Sequence, residues 1–410
     1  MNASARPSLN HTFAQRLPEL ARAAHAADFP ALDIKVLNES LAVSLGLDVE
    51  WLRSDGGTRW LAGVDGGSAT AYAGHQFGQF VPLLGDGRAL LLGDLTSDPQ
   101  GREIQVKGSG PTPFSRPGSD GFGAVGPMLR EYLVSEFMHA VGIPTTRALA
   151  VLTTGNKVLR QQGVVPGGIV VRVASSHLRV GTVQFAATQS GELVEKVVAA
   201  AGFASPAALL ETVMHRQVSL VAKWMRIGFV HGVMNTDNTT LSGETIDYGP
   251  CAFTPVFQAD ARYSSIDEAG RYAFGNQPPI IAWNLARLAE ALLCVMEADT
   301  ATRILAPIQQ VWEQHWGREV PDPQSLAHAA DITVYNRENH GGPIFIPRNY
   351  MLQKAITSAE RDGNYLPYNE LLAAVTDPFN PNAGKDWMSA PETAQRAGED
   401  KRPFVTYCGT

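Results

Sequence analysis

The chain reads as an α+β fold in two lobes, a β-rich N-lobe and a helical C-lobe, with an extra N-terminal segment and a C-terminal tail. Three observations predict it. Short apolar runs bounded by Gly and Pro fill the first half, and stretches with apolar residues every three or four positions fill the second. Residues suited to a nucleotide site gather near the change between them. At 410 residues and 44% hydrophobic, the chain can bury a sizeable core.

Taken in order, residues 1–75 form an N-terminal extension packed on the lobes. FAQRLPELARAAHAA reads as helix, and so does LNESLAVSLGLD, which Gly46 stops. Residues 76–190 form the nucleotide-binding N-lobe. VPLLGDGRALLLGDL has two apolar runs about a glycine turn, which predicts a β-hairpin, and EIQVKG is a further strand ending on Lys107. Gly and Pro then crowd a surface loop over 108–127. PMLREYLVSEFMHAV is a helix that Pro127 opens and Gly142 and Pro144 close. Strands follow in ALAVLTT, KVLRQQG and GGIVVRVAS.

Residues 191–376 form the helical C-lobe. Leu210, Met214, Val218, Val221 and Met225 draw one apolar helix face leading to His231, and further helices are expected over 280–297, 300–316, 346–360 and 367–375. Residues 377–410, rich in Pro, Gly and Ala, read as a tail that wraps or wanders.

Net charge is −7 and Lys and Arg form no block, which argues against a nucleic-acid partner. The N-terminus has no signal pattern and no stretch reaches the roughly 20 apolar residues that span a bilayer. A soluble, cytoplasmic monomer without a membrane partner is expected, or a mitochondrial matrix protein if the source is eukaryotic. Cys251, Cys294 and Cys408 are too scattered for a disulfide framework or zinc knuckle. Cys294 reads as a buried apolar residue of a helix. Cys408, near the end, is an accessible thiol that is either redox-sensitive or without a role.

The densest chemical signal is HGVMNTDNTTLSGETIDYGP. A protein-kinase catalytic loop is HRDxxxxN followed by DFG, the first Asp receiving the acceptor's proton and the Asn and second Asp holding metal. His231 and Asn238 keep that spacing, and Asp247-Tyr248-Gly249 stands for DFG. Gly232 and Val233 replace the Arg and the catalytic Asp. Asn238 and Asp247 supply the oxygen ligands that Mg²⁺ or Mn²⁺ takes. Singly each is also an ordinary turn-capping residue. Asp237 is the carboxylate of this loop that can take over as base.

Other parts fit the same site. Gly85, Gly87 and Arg88 in GDGR offer backbone N–H groups and charge to phosphates, although such a turn also has a purely steric use. Lys107 on the next strand matches the kinase lysine. Glu131 and Glu136 both lie on the following helix, and Glu131 is the carboxylate chosen to orient Lys107. Arg172 and Arg179, in VVRVASSHLRVG, need a carboxylate or an anionic ligand and can share one polyphosphate if the strand bends. His75, His177 and His231 lack metal spacing and read as packed, hydrogen-bonded residues.

The chain resembles the selenoprotein O family of pseudokinases, which are protein adenylyltransferases. The resemblance rests on YAGHQFGQFVPLLGDGRALLLGD, QVKGSGPTPFSR, LREYLVSEFMHAVGIPTTRALAV, VRVASSHLRVGT, GFVHGVMNTDNTTLSGETIDYGPCAF, NQPPIIAWNLARLAEALL, IPRNYMLQKAI and YCGT. It implies a protein-kinase-like fold binding ATP in reverse, with Gly85, Gly87, Arg88, Lys107, Arg172 and Arg179 on the nucleotide. Asp120-Gly121 would join them, in a segment one residue longer than the family pattern. Asp237 would accept the proton and Asn238 and Asp247 would hold the metal. The region between Gly181 and Met214 is abridged. The resemblance further implies a redox bond from the terminal Cys408 region to a cysteine near the activation segment, for which Cys251 is the candidate.

The expected activity is transfer of AMP from inverted ATP to Ser, Thr or Tyr hydroxyls of partner proteins, releasing pyrophosphate. The rivals are UMP transfer, γ-phosphate transfer, and a non-catalytic ATP-binding scaffold.

Overall fold

The computed structural model describes residues 6–160, 163–391 and 404–407. Nine strands of these residues form one sheet, with every ladder antiparallel. Its path runs Ala21–Ala24, Gly67–Thr70, Ala89–Leu95, Glu103–Lys107, Gly163–Ala174, Arg147–Arg160, Asp33–Leu37. Leu9–Asn10 adds to Ala89–Leu95, and Gly123–Ala124 to Gly163–Ala174. Helices dominate after residue 180.

Strand alternation sorts side chains onto two faces. Leu90, Leu92, Ile104, Val106, Ile169 and Val171 point to a core closed by Leu41, Leu45, Leu52 and Trp60 of the first 75 residues. Leu91 and Val170 point the other way, into a larger core shared with Leu129, Leu133 and Phe137 and continuous with the later helices. Lys107, Gln105 and Arg172 share that second face, because Lys107 pairs with Val170 and Gln105 with Arg172.

Three expectations change. The helix read in FAQRLPELARAAHAA is only Thr12–Arg16; a 3₁₀ turn Pro18–Leu20 follows, then strand Ala21–Ala24. Pro18 cannot donate to a continued helix, and pairing with Gly67–Thr70 overrides the helical preference of alanine. The extension thus supplies both sheet edges. The hairpin read around GDG is also absent: Ala89–Leu95 pairs with Glu103–Lys107 and Gly67–Thr70, while Gln79–Val81 turns back on Gly74–Gln76. That hairpin closes through Phe77 and Gly78, at φ 51° and 86°, the positive pair that a two-residue turn of matching twist requires. Cys294 is exposed just beyond its helix, Gln277–Leu292, not buried within it.

Other helices expected from the pattern form: Glu39–Ser44, Val125–Ala140, Pro206–Arg226, Asn349–Asp362 and Leu366–Thr376, while Val180–Gln189, Gly191–Ala200 and Ile332–His340 add to them. The stretch read as 300–316 divides into Ala298–Leu305 and Ile308–Glu319 about Pro307. Tail residue Thr406 bridges to Ser264, and its hydroxyl donates to the Pro250 carbonyl at 2.7 Å. Cys408 lies outside the described residues. Among those described, no helix is long and apolar enough to cross a membrane.

Glu136 fastens the helix Val125–Ala140 to the sheet and the extension. Its carboxylate accepts from Arg147 Nε (2.9 Å) and Nη2 (2.7 Å), Asn38 Nδ2 (2.8 Å) and the Ala148 amide (3.0 Å). Glu136→Ala leaves the Arg147 cation without its carboxylate and should destabilise the protein by about 3 kcal/mol. A lower urea midpoint with an unchanged denaturant slope is the expected result.

Candidate active site

Lys107, Glu131, Arg172 and Asp247 meet on the inner face of the sheet. Glu131 Oε2 accepts from Lys107 Nζ at 2.8 Å, and its other oxygen accepts from Arg172 Nε. Asp247 Oδ1 accepts from Lys107 and, at 3.2 Å, from Arg172 Nη2. Gln105 Oε1 takes the third Arg172 donor at 3.1 Å. Burial raises the pKa of both carboxylates, but the two cations outweigh it and hold Glu131 and Asp247 below the usual range. Burial likewise opposes the Arg172 charge, and Glu131 and Asp247 overcome it. Arg172 is therefore engaged by carboxylates, the structural-pair alternative.

Asp247 sits at φ 66°, costly for a residue with a side chain. Its neighbours enforce it. Thr245 donates its amide to Pro144 O and accepts from Trp224 Nε1, both at 3.0 Å, and the Tyr248 hydroxyl is bonded to Thr145.

The loop before it is equally fixed. His231 Nδ1 accepts from the Val233 amide at 3.3 Å, so Nε2 carries the proton given to Ile246 O at 3.0 Å. Burial lowers its pKa, and it is a packed residue as expected. Gly232 has φ 82°, and an added Cβ would lie 2.8 Å from Pro250 O. Val233, where kinases have their base, is buried. A 3₁₀ turn, Thr236–Asn238, presents Asp237 instead. Asp237 is 8% exposed and its Oδ1 has no hydrogen-bond partner. Burial pushes its pKa up to about 6, against the pull of Arg179.

Arg179 donates Nη1 to the Asp237 carbonyl at 3.2 Å and stacks 4.4 Å over the Tyr72 ring. It forms no ion pair among the described residues, and its Nη2 is buried and unpartnered. A buried cation with a free donor is a receptor for an anion.

The glycine loop differs from expectation. The amides of Leu84, Gly85, Asp86 and Gly87 donate to Tyr72 O, Tyr72 O, Thr70 O and Gly85 O, leaving none for phosphate. Phe114 covers Gly85, whose φ is 68°. Arg88 follows, and Asp120 pairs with Arg160 at 3.0 Å; Gly121 lies tight against Pro111. Asn238 donates Nδ2 to Val233 O at 3.0 Å, so its side-chain oxygen is the end left for a ligand.

No group of three His, Cys, Asp or Glu able to hold a metal occurs among the described residues. The all-oxygen pair Asn238 and Asp247 suits Mg²⁺ or Mn²⁺ completed by phosphate and water.

Sequence reading missed the strand Gly74–Gln76. The His75 amide donates to Thr236 Oγ1 (2.7 Å), the Phe77 amide to Asn235 Oδ1 (3.2 Å) and Tyr272 (3.1 Å), and Gln184 joins the His75 ring to Thr236. Asn284 holds the loop from below through Met234 O and Thr239, each at 2.9 Å. A β-carbon on Gly74 would collide with Asp237 Oδ1 and lie 2.8 Å from Leu84. Gly74→Ala should therefore cut turnover at least about tenfold and cost about 1–3 kcal/mol of stability, whereas Gly317→Ala, which meets nothing within 4 Å, should leave turnover unchanged.

Because burial holds His231 neutral, its contribution to stability is complete above the unfolded pKa near 6.5 and declines as pH falls below it. Urea midpoints of the metal-free protein at pH 7.5 and 5.5 should differ more than those of His231→Asn.

The family model for protein adenylyltransferase SelO matches residues 7–326. The chain is 43% identical to protein nucleotidyltransferase YdiU of Mycolicibacterium paratuberculosis over 98% of each chain. It is 41% identical to the YdiU of Mycolicibacterium smegmatis over 100% of both, and 42% to that of Rhodococcus jostii over 98% of this chain and 94% of the other. The first alignment occupies 491 positions against 410 residues here, so that relative carries segments this chain lacks. The family match covers most of the chain and these relatives cover nearly all of it: the chain belongs to the protein adenylyltransferase SelO family and is a nucleotidyltransferase.

Proposed function

We propose that the protein transfers AMP from ATP to Ser, Thr or Tyr hydroxyls of other proteins. In this reading the strand-rich residues 76–190 and helical residues 191–376 act as the two lobes of a kinase-like cleft. ATP lies inverted, its β- and γ-phosphates inward toward Arg179, Lys107 and Arg172 and its α-phosphorus outward. The observation that carries the reading is the pair of unpartnered buried atoms, Asp237 Oδ1 and Arg179 Nη2, on residues joined through the Asp237 carbonyl.

Asp237 removes the acceptor's proton as the hydroxyl oxygen bonds to the α-phosphorus. The bond from that phosphorus to the bridging oxygen breaks, and pyrophosphate leaves with the electron pair. Arg179 stabilises the charge gathering on it. A base with a pKa near 6 is ionised at neutral pH yet basic enough to take a proton. Asn238 and Asp247 would hold the divalent metal, which when bound offsets triphosphate charge. Arg88, Asp120, Gly121 and the Gly85–Gly87 loop would border the nucleotide by shape and charge, since the loop amides are engaged internally.

The decisive experiment gives the protein ATP labelled at the α or the γ position with Mg²⁺ or Mn²⁺ and a mixed protein acceptor. Acceptor label should come only from the α position, and Asp237→Asn should lower the rate by about 10²-fold or more without weakening ATP binding. Label from the γ position would establish phosphoryl transfer, UTP outcompeting ATP would establish UMP transfer, and no covalent product would leave a scaffold.

A further inference from the structure

On the solvent side of the strand that covers Asp237 lies a cationic, aromatic platform. Trp283 stands on the helix Gln277–Leu292 between two guanidinium groups, Arg271 at 4.7 Å and Arg287 at 4.9 Å from its ring. The His75 ring meets its edge at 5.1 Å, and Phe80, 44% exposed, packs on His75 at 4.9 Å. The Arg271 guanidinium forms no ion pair among the described residues and its Nε is buried without a hydrogen bond, although its backbone amide donates to Asp267 Oδ1 at 2.8 Å. Among the described residues Arg287 pairs with Glu290, itself 55% exposed. Arg116, exposed, extends the positive surface by donating to Gln76 Oε1 at 2.9 Å.

Stacking on Trp283 and the backing of Gly78 fix the arginines in place, so little side-chain freedom is lost when an anion binds. A surplus of cations here stands out on a chain of net charge −7. The location is equally specific. His75 is the residue after Gly74, which touches Asp237, and its amide is bonded to the catalytic loop. The helix that displays Trp283 and Arg287 outward grips the same loop inward through Gln277 and Asn284.

We propose that this platform docks the acceptor, and that the preferred acceptor is a protein segment with acidic residues flanking the hydroxyl and an apolar or aromatic residue to lie against Phe80 and Trp283. The assignment rests on the transferase reading of the cleft. Acidic side chains pair with Arg271 and Arg287, and complementary charge speeds encounter more than it deepens affinity, so the preference weakens with salt.

The test measures binding apart from transfer. Two fluorescent peptides with the same Tyr and Phe, one flanked by Glu and Asp and the other by Lys, are titrated with the full chain by anisotropy at low and high salt. The acidic peptide should bind more tightly, with the difference shrinking as salt rises. Arg271→Gln and Arg287→Gln should each weaken it roughly two- to fivefold while leaving ATP affinity unchanged. Equal binding of the two peptides, or an acidic preference that survives both substitutions, would overturn the proposal. Tight, arginine-dependent binding of an acidic peptide that is never labelled would instead count against the transferase reading and leave the docking surface standing.

Discussion

Two cations and two carboxylates share one largely buried crevice, and each comes from a different element. Lys107 ends one strand, Arg172 sits on the next, Glu131 lies on the helix behind them, and Asp247 arrives from a loop of the second half. Taking an ion out of water costs several kcal/mol, and only its partners offset that. None of the four can move alone. Strand register, helix position and the left-handed backbone of Asp247 are thereby coupled, and the extension matters because it covers the outer face of the same sheet.

The cluster is electrically balanced by itself, so it is a poor trap for a polyanion. Unanswered positive charge lies instead on Arg179, held by a cation–π stack and two carbonyls rather than by a carboxylate. A triphosphate reaching Lys107 and Arg172 competes with Glu131 and Asp247, but meets no such rival at Arg179. The two arginines of VVRVASSHLRVG therefore differ in their partners although their sequence contexts look alike.

Charged residues in a fixed order were legible from the chain. Lys107, Glu131 and Asp247 fit a kinase-like order and do meet, and the helices follow their apolar period. What stayed hidden depended on contacts between distant segments. Phe77 is an improbable residue for positive φ, so nothing local announces the Gly74–Val81 hairpin; Asn235 and Tyr272 hold it there. The GDG glycines look like a turn, yet Gly85 is needed because Phe114 lies on it. Arg172 was ambiguous because a buried arginine signals some anion without naming it. The alanine-rich extension gave a helical signal that an open sheet edge outweighed.

The same packing explains why the kinase base could not simply be restored at its usual place. Gly232 has a left-handed backbone beside Pro250, and Val233 is buried, so a carboxylate there would face desolvation. Four residues on, Asp237 is also buried, but Arg179 lies against its backbone and moderates the rise in its pKa. Gly74 and Gly181 both come close to Asp237 because neither has a side chain, and together they shape the space around it. A loop closed at one position and provided with a cation at another favours a carboxylate only at the second, which is why the order of residues in HGVMNTDN carries more meaning than the missing aspartate alone.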